Sequence, residues 1–106
     1  MKRIRFHKSV EKELATLSEE VRVDLAESLG LLSRGMSLGM PVSRPMPSLG
    51  LGNHELRLKD RAGIYRFFYY VKLKDAILIY HCFMKKTQAT PISEIKTGKK
   101  RLGDLL

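Results

Sequence analysis

The sequence predicts one α+β domain, in which a small antiparallel sheet packs against helices. Three observations predict this fold class. A short strand pattern opens the chain, apolar residues then recur at helical spacing, and the second half alternates like strands before a last helical segment. The predicted order of elements is β-α-α-β-β-β-α. A length of 106 residues fits a single domain over positions 1–106.

The first predicted elements are a strand and a helical hairpin. Ile4 and Phe6 alternate with Arg3 and Arg5, which indicates a strand with one apolar face and one basic face. Ser18, followed by two glutamates, is typical of the cap and acidic first turn of a second helix. The apolar residues of the two helices are Val10, Leu14 and Leu17, then Val21, Leu25, Leu29 and Leu32.

Residues 35–53 predict a long loop. They hold three of the four prolines and four of the eight glycines, and they follow neither the helical nor the strand period. Loops of this length within a compact domain tend to be functional or mobile. We expect Met36, Met40 and Met46 to cover the core.

The second half predicts three strands joined by short turns. Strand patterns cover residues 54–59, 64–71 and 76–84, and the third is almost wholly apolar, which is typical of a strand covered on both faces. The connections at 60–63 and 72–75 are short, so we expect an antiparallel meander with the helices packed on it.

A last helix is predicted after residue 90. Thr90 is expected to cap it, with Pro91 at its first position. Gly98 within it costs about 1 kcal/mol relative to alanine, so we expect the end of the helix to fray. The predicted inward residues are Ile92, Ile95 and Leu102, and the predicted outward residues are Lys96, Lys99, Lys100 and Arg101.

The charge of the chain predicts a polyanionic partner. Lys and Arg number 20 against 11 Asp and Glu, a net charge of +9. Such a surplus attracts polyanions, and nucleic acid is the leading partner because neutralised phosphates release counterions. An acidic protein stays open as a partner. A membrane surface is disfavoured, because no segment shows one basic and one strongly apolar face.

The sequence predicts a cytoplasmic protein without a metal or cofactor. Cys82 is the single cysteine, which excludes an internal disulfide and a Cys-rich zinc site. No apolar run of membrane-spanning length and no signal-peptide core is present. The sequence also lacks a glycine-rich phosphate loop, and its three histidines are scattered.

The cations of the predicted meander are the candidate site. Arg57 and Lys59 are two apart and share one strand face. Arg66 stands in an aromatic strand, where its charge must be paired or solvated. Two interpretations stay open: a groove where Arg66 holds a phosphate, and an ion pair with Glu55 or Asp75.

Other polar residues of the strands are weaker candidates. His81 and Cys82 lie in the apolar strand, where a core role is expected. His54 adjoins the glycine-containing loop and is the better candidate for an exposed, titrating group. The tyrosines at 65, 69, 70 and 80 are expected to be mostly core.

Three motifs carry a resemblance to a known family. They are Glu55-Leu56-Arg57, the run G-I-Y-R-F-F-Y over residues 63–69, and the run F-M-K-K-T-Q-A-T-P over residues 83–91. With the predicted order of elements, they resemble the RelE/ParE toxin superfamily, and its HigB-like, phage-associated branch in particular. The resemblance covers nearly the whole chain and is most specific over residues 55–95.

The resemblance implies a RelE-like fold and the toxin of a type II toxin–antitoxin system. Such toxins are ribosome-dependent endoribonucleases that cut messenger RNA in the A site of the 30S subunit, and a cognate antitoxin silences them. The implied reaction is attack of a ribose 2′-hydroxyl on the adjacent phosphate, and it requires no metal. Cations aimed at the developing charge can supply much of the rate.

The resemblance also implies roles for particular residues. Arg66 matches the arginine that contacts the scissile phosphate, and Lys85 and Lys86 match basic residues at the end of the last strand. Lys59 is the expected base, because arginine is a poor base, and this role requires a lowered pKa, for which crowding by Arg57 and Arg66 is the expected cause. The RNA-binding residues implied are Arg57, Lys59, Arg66, Lys85, Lys86, Lys99, Lys100 and Arg101.

The chain departs from the family at its end. Relatives carry a tyrosine or histidine there as acid, base or stacking platform, whereas no residue after Pro91 is aromatic or histidine. His54 or a lysine is the expected substitute.

Two alternative functions stay open. The ParE branch of the same superfamily inhibits DNA gyrase without cutting RNA, and a third possibility is a non-catalytic module that binds RNA or an antitoxin. We expect an antitoxin to block the basic groove, either by covering it with acidic residues or by displacing the last helix.

Overall fold

The computed structural model describes residues 1–85 and 89–106. Within these ranges the chain forms five strands, three α-helices and one short 3₁₀ helix. In chain order they are β1 (Arg3–Phe6), α1 (Lys8–Leu14), α2 (Glu19–Ser33), β2 (Ser43–Pro45), the 3₁₀ helix (Pro47–Leu49), β3 (Asn53–Asp60), β4 (Gly63–Tyr70), β5 (Ala76–Lys85) and α3 (Ile92–Leu105).

The five strands form one mixed sheet in the order β1-β5-β4-β3-β2. The predicted meander is confirmed, since β3, β4 and β5 pair antiparallel. The prediction of a wholly antiparallel sheet is wrong, because β1 pairs parallel with β5, with Ile4 opposite Ile77. Short hairpin turns make neighbouring strands antiparallel, but such turns occur only within the meander. No hairpin turn joins β1 to β5, so the local sequence pattern does not determine how β1 runs relative to β5.

Helices cover both faces of the sheet. Helices α1 and α2 pack on one face, here called the hairpin face, and α3 packs on the other, here called the α3 face. Because β5 is central and covered on both sides, its sequence is almost wholly apolar, as predicted. The core of the hairpin face includes Val10, Val21, Leu25, Leu56, Phe67 and Ile79. The core of the α3 face includes Met46, Leu49, Phe68, Leu78, Tyr80 and Leu102.

The predicted helical hairpin is confirmed with one difference in length. Ser18 caps α2, because its hydroxyl accepts a hydrogen bond of 3.2 Å from the backbone N–H of Val21. Helix α1 ends at Leu14, so Leu17 follows it outside the helix, although its side chain is buried as predicted.

The loop predicted over residues 35–53 is more ordered than its composition indicates. It contains β2 and the 3₁₀ helix, and β2 extends the sheet by pairing antiparallel with β3. Met46 is buried and covers the core, as predicted, whereas Met36 and Met40 are exposed. A three-residue edge strand that ends in proline is too short to give a recognisable strand period.

The start of α3 differs from the predicted cap. The helix begins at Ile92, Pro91 occupies the cap position, and no side chain caps it. The hydroxyl of Thr90 instead donates a hydrogen bond of 3.0 Å to Glu55 on β3. The same hydroxyl accepts a hydrogen bond of 3.2 Å from Arg44 Nη2, and a charged guanidinium is a stronger donor than a backbone N–H of the helix, which accounts for the difference.

Gly98 permits close packing of α3 on the sheet. Helix α3 continues beyond Gly98 to Leu105, and Gly98 is buried against the sheet. A Cβ atom at this position would lie 2.8 Å from Cδ2 of Phe68, well inside van der Waals contact.

Among the described residues, no helix is long and apolar enough to cross a membrane.

Candidate functional site

A buried carboxylate gathers three arginines on the α3 face. Glu55 lies in the middle of β3, and its side chain is completely buried. Its Oε1 atom accepts hydrogen bonds from Arg66 Nη1 at 2.5 Å and from Arg44 Nε at 3.1 Å. Arg57 Nε lies 3.5 Å from the same oxygen. We call Glu55, Arg44, Arg57 and Arg66 the arginine cluster.

The sheet register explains why the cluster forms. Arg57 stands directly opposite Arg66 on the neighbouring strand, and Arg44 stands opposite Glu55. Like charges that face each other across two strands repel, so Arg57 and Arg66 require a counter-charge between them. Glu55 supplies it, and the predicted ion pair between Arg66 and Glu55 is thereby confirmed.

Thr90 connects the cluster to the start of α3. Its hydroxyl donates to Glu55 Oε2 at 3.0 Å and accepts a hydrogen bond from Arg44 Nη2 at 3.2 Å. Both carboxylate oxygens of Glu55 are therefore engaged. Residues from β2, β3, β4 and the segment before α3 meet at one point.

The arginine cluster carries a net positive charge, since one carboxylate faces three guanidinium groups. Burial alone raises the pKa of Glu55, but the hydrogen bond and charge of Arg66, with Thr90 and Arg44, hold that pKa below its usual range. The carboxylate thus stays ionised, and the surplus charge of the arginines is directed toward solvent and any anion there.

Two donors of the cluster have no hydrogen-bond partner within residues 1–85 and 89–106. They are the Nε–H groups of Arg57 and Arg66, and both nitrogen atoms are buried. The side chain of Arg66 is only 3% exposed. Leaving a buried donor unpaired costs roughly 1–3 kcal/mol, so the other contacts of these two arginines must offset that cost.

A pocket of about 290 Å³ opens beside these arginines. Here called the cationic pocket, it is lined by the cations Arg57, Lys59 and Arg66 and by the apolar residues Pro41, Val42 and Ile64. Lys59 is exposed, and Val42 and Ile64 are both about 40% exposed, so the pocket combines charge with an apolar rim. Such a combination suits a ligand with an anionic part and a flat, weakly polar part.

The structure brings Arg57, Lys59 and Arg66 together but leaves His54 apart from them. His54 lies on the hairpin face, where its ring stacks on Tyr69 with centroids 5.2 Å apart. Burial, with a smaller contribution from Lys72, lowers the pKa of His54. Residues 54 and 57 are an odd number apart, so strand alternation places them on opposite faces.

The lysines that end β5 are described only in part. Lys85 is the last residue of β5, and its backbone pairs with Ile64, which lines the cationic pocket. Lys86 lies outside the described residues. On α3, Lys99 and Lys100 are exposed, as predicted.

Arg101 faces the sheet, contrary to its predicted outward position. Its Nη1 atom donates to Nδ1 of His81 at 2.7 Å. The other ring nitrogen of His81 bonds to Glu94 Oε1 at 2.7 Å. His81 is thus held between two residues of α3, and burial is the main cause that lowers its pKa.

The expected core roles of His81 and Cys82 are confirmed. Both side chains are buried, and burial raises the pKa of Cys82 to about 12. A thiol with such a pKa stays protonated and is a poor nucleophile at neutral pH. Within the described residues, no group of three or more His, Cys, Asp or Glu side chains is placed to hold a metal ion.

Sequence reasoning missed Arg44 and Thr90 as members of the site. Arg44 lies in a proline-rich segment with no strand period, so nothing in the sequence indicates that it faces Glu55. Thr90 precedes a proline at the start of a helix, where a capping role is the ordinary interpretation. Glu55 was recognised only as one possible partner of Arg66, although its place two residues before Arg57 puts both on one face.

No curated protein matches the chain at a significant level of similarity. A family model described as "phage derived protein Gp49-like" matches residues 12–103. This family comprises toxin-like proteins of the RelE/HigB type, is associated with phage-derived toxins of toxin–antitoxin systems, and typically pairs with an antitoxin. The match agrees with the resemblance to toxins at this broad level, while the HigB-like branch stays a prediction. Because the match spans most of its length, the chain belongs to the phage-derived Gp49-like family.

Proposed function

We propose that this chain is a type II toxin that cleaves messenger RNA on the ribosome and that a cognate antitoxin silences it. The observation that carries the proposal is the cationic pocket, where Arg57, Lys59 and Arg66 meet. Membership of a family of toxin-like proteins supports the biological role. The pocket supports a phosphodiester as the group that is bound.

A phosphate fits the surplus positive charge of the cluster. Arg57 and Arg66 line the cationic pocket, and Glu55 balances only part of the positive charge. A non-bridging phosphate oxygen contacts the guanidinium groups of both arginines in this proposal. Negative charge grows on that oxygen as the phosphorane forms, so donors that are already fixed stabilise the transition state more than the substrate.

The proposed reaction is transesterification. The ribose 2′-oxygen forms a bond to the adjacent phosphorus, and the bond from phosphorus to the 5′-oxygen breaks. The products are a 2′,3′-cyclic phosphate and a new 5′-hydroxyl end. The proton of the 2′-hydroxyl passes to a base, for which Lys59 is the candidate in the pocket. A second group protonates the 5′-oxygen, and Lys85 and Lys86 are the candidates.

Expression in bacteria tests this proposal. We expect the wild-type chain to arrest growth and to generate new messenger RNA 5′ ends. The variants Arg57→Gln and Lys59→Gln should lose both effects while keeping a folded circular dichroism spectrum. Lys74→Gln is the matched control, because Lys74 is also exposed but lies in the turn at the opposite end of the meander. Arrest by a folded Arg57→Gln variant at the wild-type level would contradict the proposal.

A binding-only role is the second candidate, and one observation favours it. His54 lies on the other face of the sheet, and the described lining of the cationic pocket contains no histidine, tyrosine or free carboxylate. A chain that binds RNA through the pocket, is harmless to cells and leaves messenger RNA intact would support this role. Growth arrest with intact messenger RNA and DNA-damage signalling would instead indicate gyrase inhibition.

A further inference from the structure

Glu55 is the only member of the arginine cluster that has no exposed side-chain surface. Its carboxylate is completely buried and does not line the cationic pocket. A group in this position does not touch a ligand in the pocket. Its effect on the site must therefore pass through the arginines that it holds.

The contacts of Glu55 hold the guanidinium groups in place. Glu55 accepts the Nη1–H of Arg66. Arg57 Nε lies 3.5 Å from the same oxygen, which is within ion-pair distance. A planar guanidinium held at one nitrogen and packed within the sheet has little freedom to rotate. Arg57 and Arg66 are thus oriented before any ligand arrives.

Charge balance leads to the same conclusion. Without Glu55, three guanidinium groups would lie together, and Arg66 would be a buried cation without a described counter-charge. Such a cation turns toward water, because an unpaired buried charge is strongly unfavourable. One carboxylate holds the three arginines together and still leaves the cluster net positive.

We propose that Glu55 is a positioning residue that orients Arg57 and Arg66, so that their guanidinium groups bind a phosphate in the cationic pocket. The identity of that phosphate as part of an RNA chain rests on the function proposed above. The orientation of the two arginines by Glu55 does not rest on that function, since it concerns any oxyanion that enters the pocket.

Nuclear magnetic resonance of the arginine Nε–H groups tests the proposal directly. The probe is a short oligoribonucleotide with 2′-O-methyl groups, which cannot be cut because the attacking hydroxyl is blocked. We expect it to shift the Nε–H signals of Arg57 and Arg66 in the wild-type chain. In Glu55→Gln, binding should be at least as tight because the cluster gains positive charge, but the shift of Arg66 should be lost. Thr90→Val removes the bond to Oε2 and the bond from Arg44 Nη2 but no contact of Arg66, so it should keep that shift.

Cleavage of an unmodified RNA on programmed ribosomes provides the second readout. We expect single-turnover cleavage by Glu55→Gln to fall about 100-fold, the usual effect of losing one transition-state donor, with RNA binding retained. If Glu55→Gln does not fold, Glu55→Asp replaces it, since it keeps the charge but withdraws the carboxylate by one carbon. The same loss of the Arg66 shift is then expected.

The two readouts separate the two proposals. If the wild-type chain binds the probe but does not cut RNA, the proposed function fails, while the arginine signals still test Glu55. If a folded Glu55 variant keeps wild-type cleavage or a wild-type Arg66 shift, then Glu55 only stabilises the fold and does not position the arginines. Absence of any shift in the wild-type arginine signals would overturn the positioning role as well.

Discussion

An arginine within an aromatic strand is the residue on which the site depends. Arg66 stands between Tyr65 and Phe67 in the sequence, and it is almost completely buried. Glu55 on the neighbouring strand neutralises its charge. Of the two interpretations open at the sequence level, the ion pair is present in the structure, and the phosphate contact stays a proposal. The pair engages Nη1, and Nε is unpaired among the described residues.

Stability provides the first prediction at the residue scale. Arg66→Met removes one partner of a buried ion pair and should lower the free energy of unfolding by about 3 kcal/mol. Arg44→Met also removes a partner of Glu55, but the side chain of Arg44 is 32% exposed. This substitution should lower the free energy of unfolding by about 1 kcal/mol or less. Urea unfolding measures both. Equal losses for the two variants would show that the burial of Arg66 does not determine how much it contributes to the free energy of unfolding.

Sequence reasoning identified part of the site for a physical reason. The positions of Arg57, Lys59 and Arg66 follow from strand alternation and from a single hairpin turn, both of which are local. Arg44 and Thr90 reach Glu55 through segments that have no period. Their place is determined by the tertiary arrangement, which no local pattern encodes.

At the scale of elements, α3 is held to the sheet by close packing and by polar contacts. Gly98 lets the helix approach Phe68, while His81 bonds to Glu94 and Arg101 on the same helix. The sequence predicts the helix but misinterprets its glycine, because helix propensity is a local property and the contact with Phe68 is not.

Two glycines of α3 form a matched pair for the second prediction. Gly98→Ala gains helix propensity but places a Cβ atom 2.8 Å from a buried ring, and it should lower the free energy of unfolding by about 1–3 kcal/mol. Gly103→Ala meets no atom within 4 Å and should raise it by up to about 1 kcal/mol. Thermal unfolding compares the two. A stabilising Gly98→Ala substitution would contradict the account of close packing.

The third prediction concerns pH and the contact between β5 and α3. Burial is the main cause that holds the pKa of His81 below 6.5, against the opposing effect of Glu94, and Arg101 lowers it further. As pH falls below 6.5, the unfolded chain therefore binds a proton that the folded chain does not. The free energy of unfolding should decrease between about pH 7.5 and pH 5.5, and His54 adds to this decrease because its pKa is also lowered.

The variant His81→Gln isolates the contribution of this residue. The variant should be less stable than the wild-type chain at neutral pH, because the contacts of the His81 ring with Glu94 and Arg101 are lost. Its stability should, however, depend less on pH than that of the wild-type chain. Urea unfolding at several pH values measures the slope. An unchanged slope would mean that His81 is not the group that titrates.

At the scale of the whole molecule, charge and architecture act together. A net charge of +9 attracts polyanions to the surface in general, whereas the uncovered part of the α3 face concentrates cations in one pocket. The sequence predicts the meander and the helices but not the mixed sheet. The parallel contact of β1 with β5 joins segments near opposite ends of the chain, and no turn signals it.

Salt dependence distinguishes the pocket from the general field. Binding of the 2′-O-methyl oligoribonucleotide should weaken with salt, with a slope of about −0.7 per phosphate neutralised on a single strand. Lys59→Gln should reduce the magnitude of that slope by about 0.7, whereas Lys74→Gln should leave it nearly unchanged. Fluorescence anisotropy at several salt concentrations measures both. Equal effects of the two substitutions would indicate diffuse binding over the surface.

Cleavage of a defined messenger RNA by the purified chain, with and without programmed ribosomes, tests the central claim most directly. Primer extension locates new 5′ ends. We predict cuts at codon positions only when ribosomes are present, and no cuts with the folded variant Arg57→Gln. Intact messenger RNA in both reactions, with the wild-type chain folded, would contradict the account.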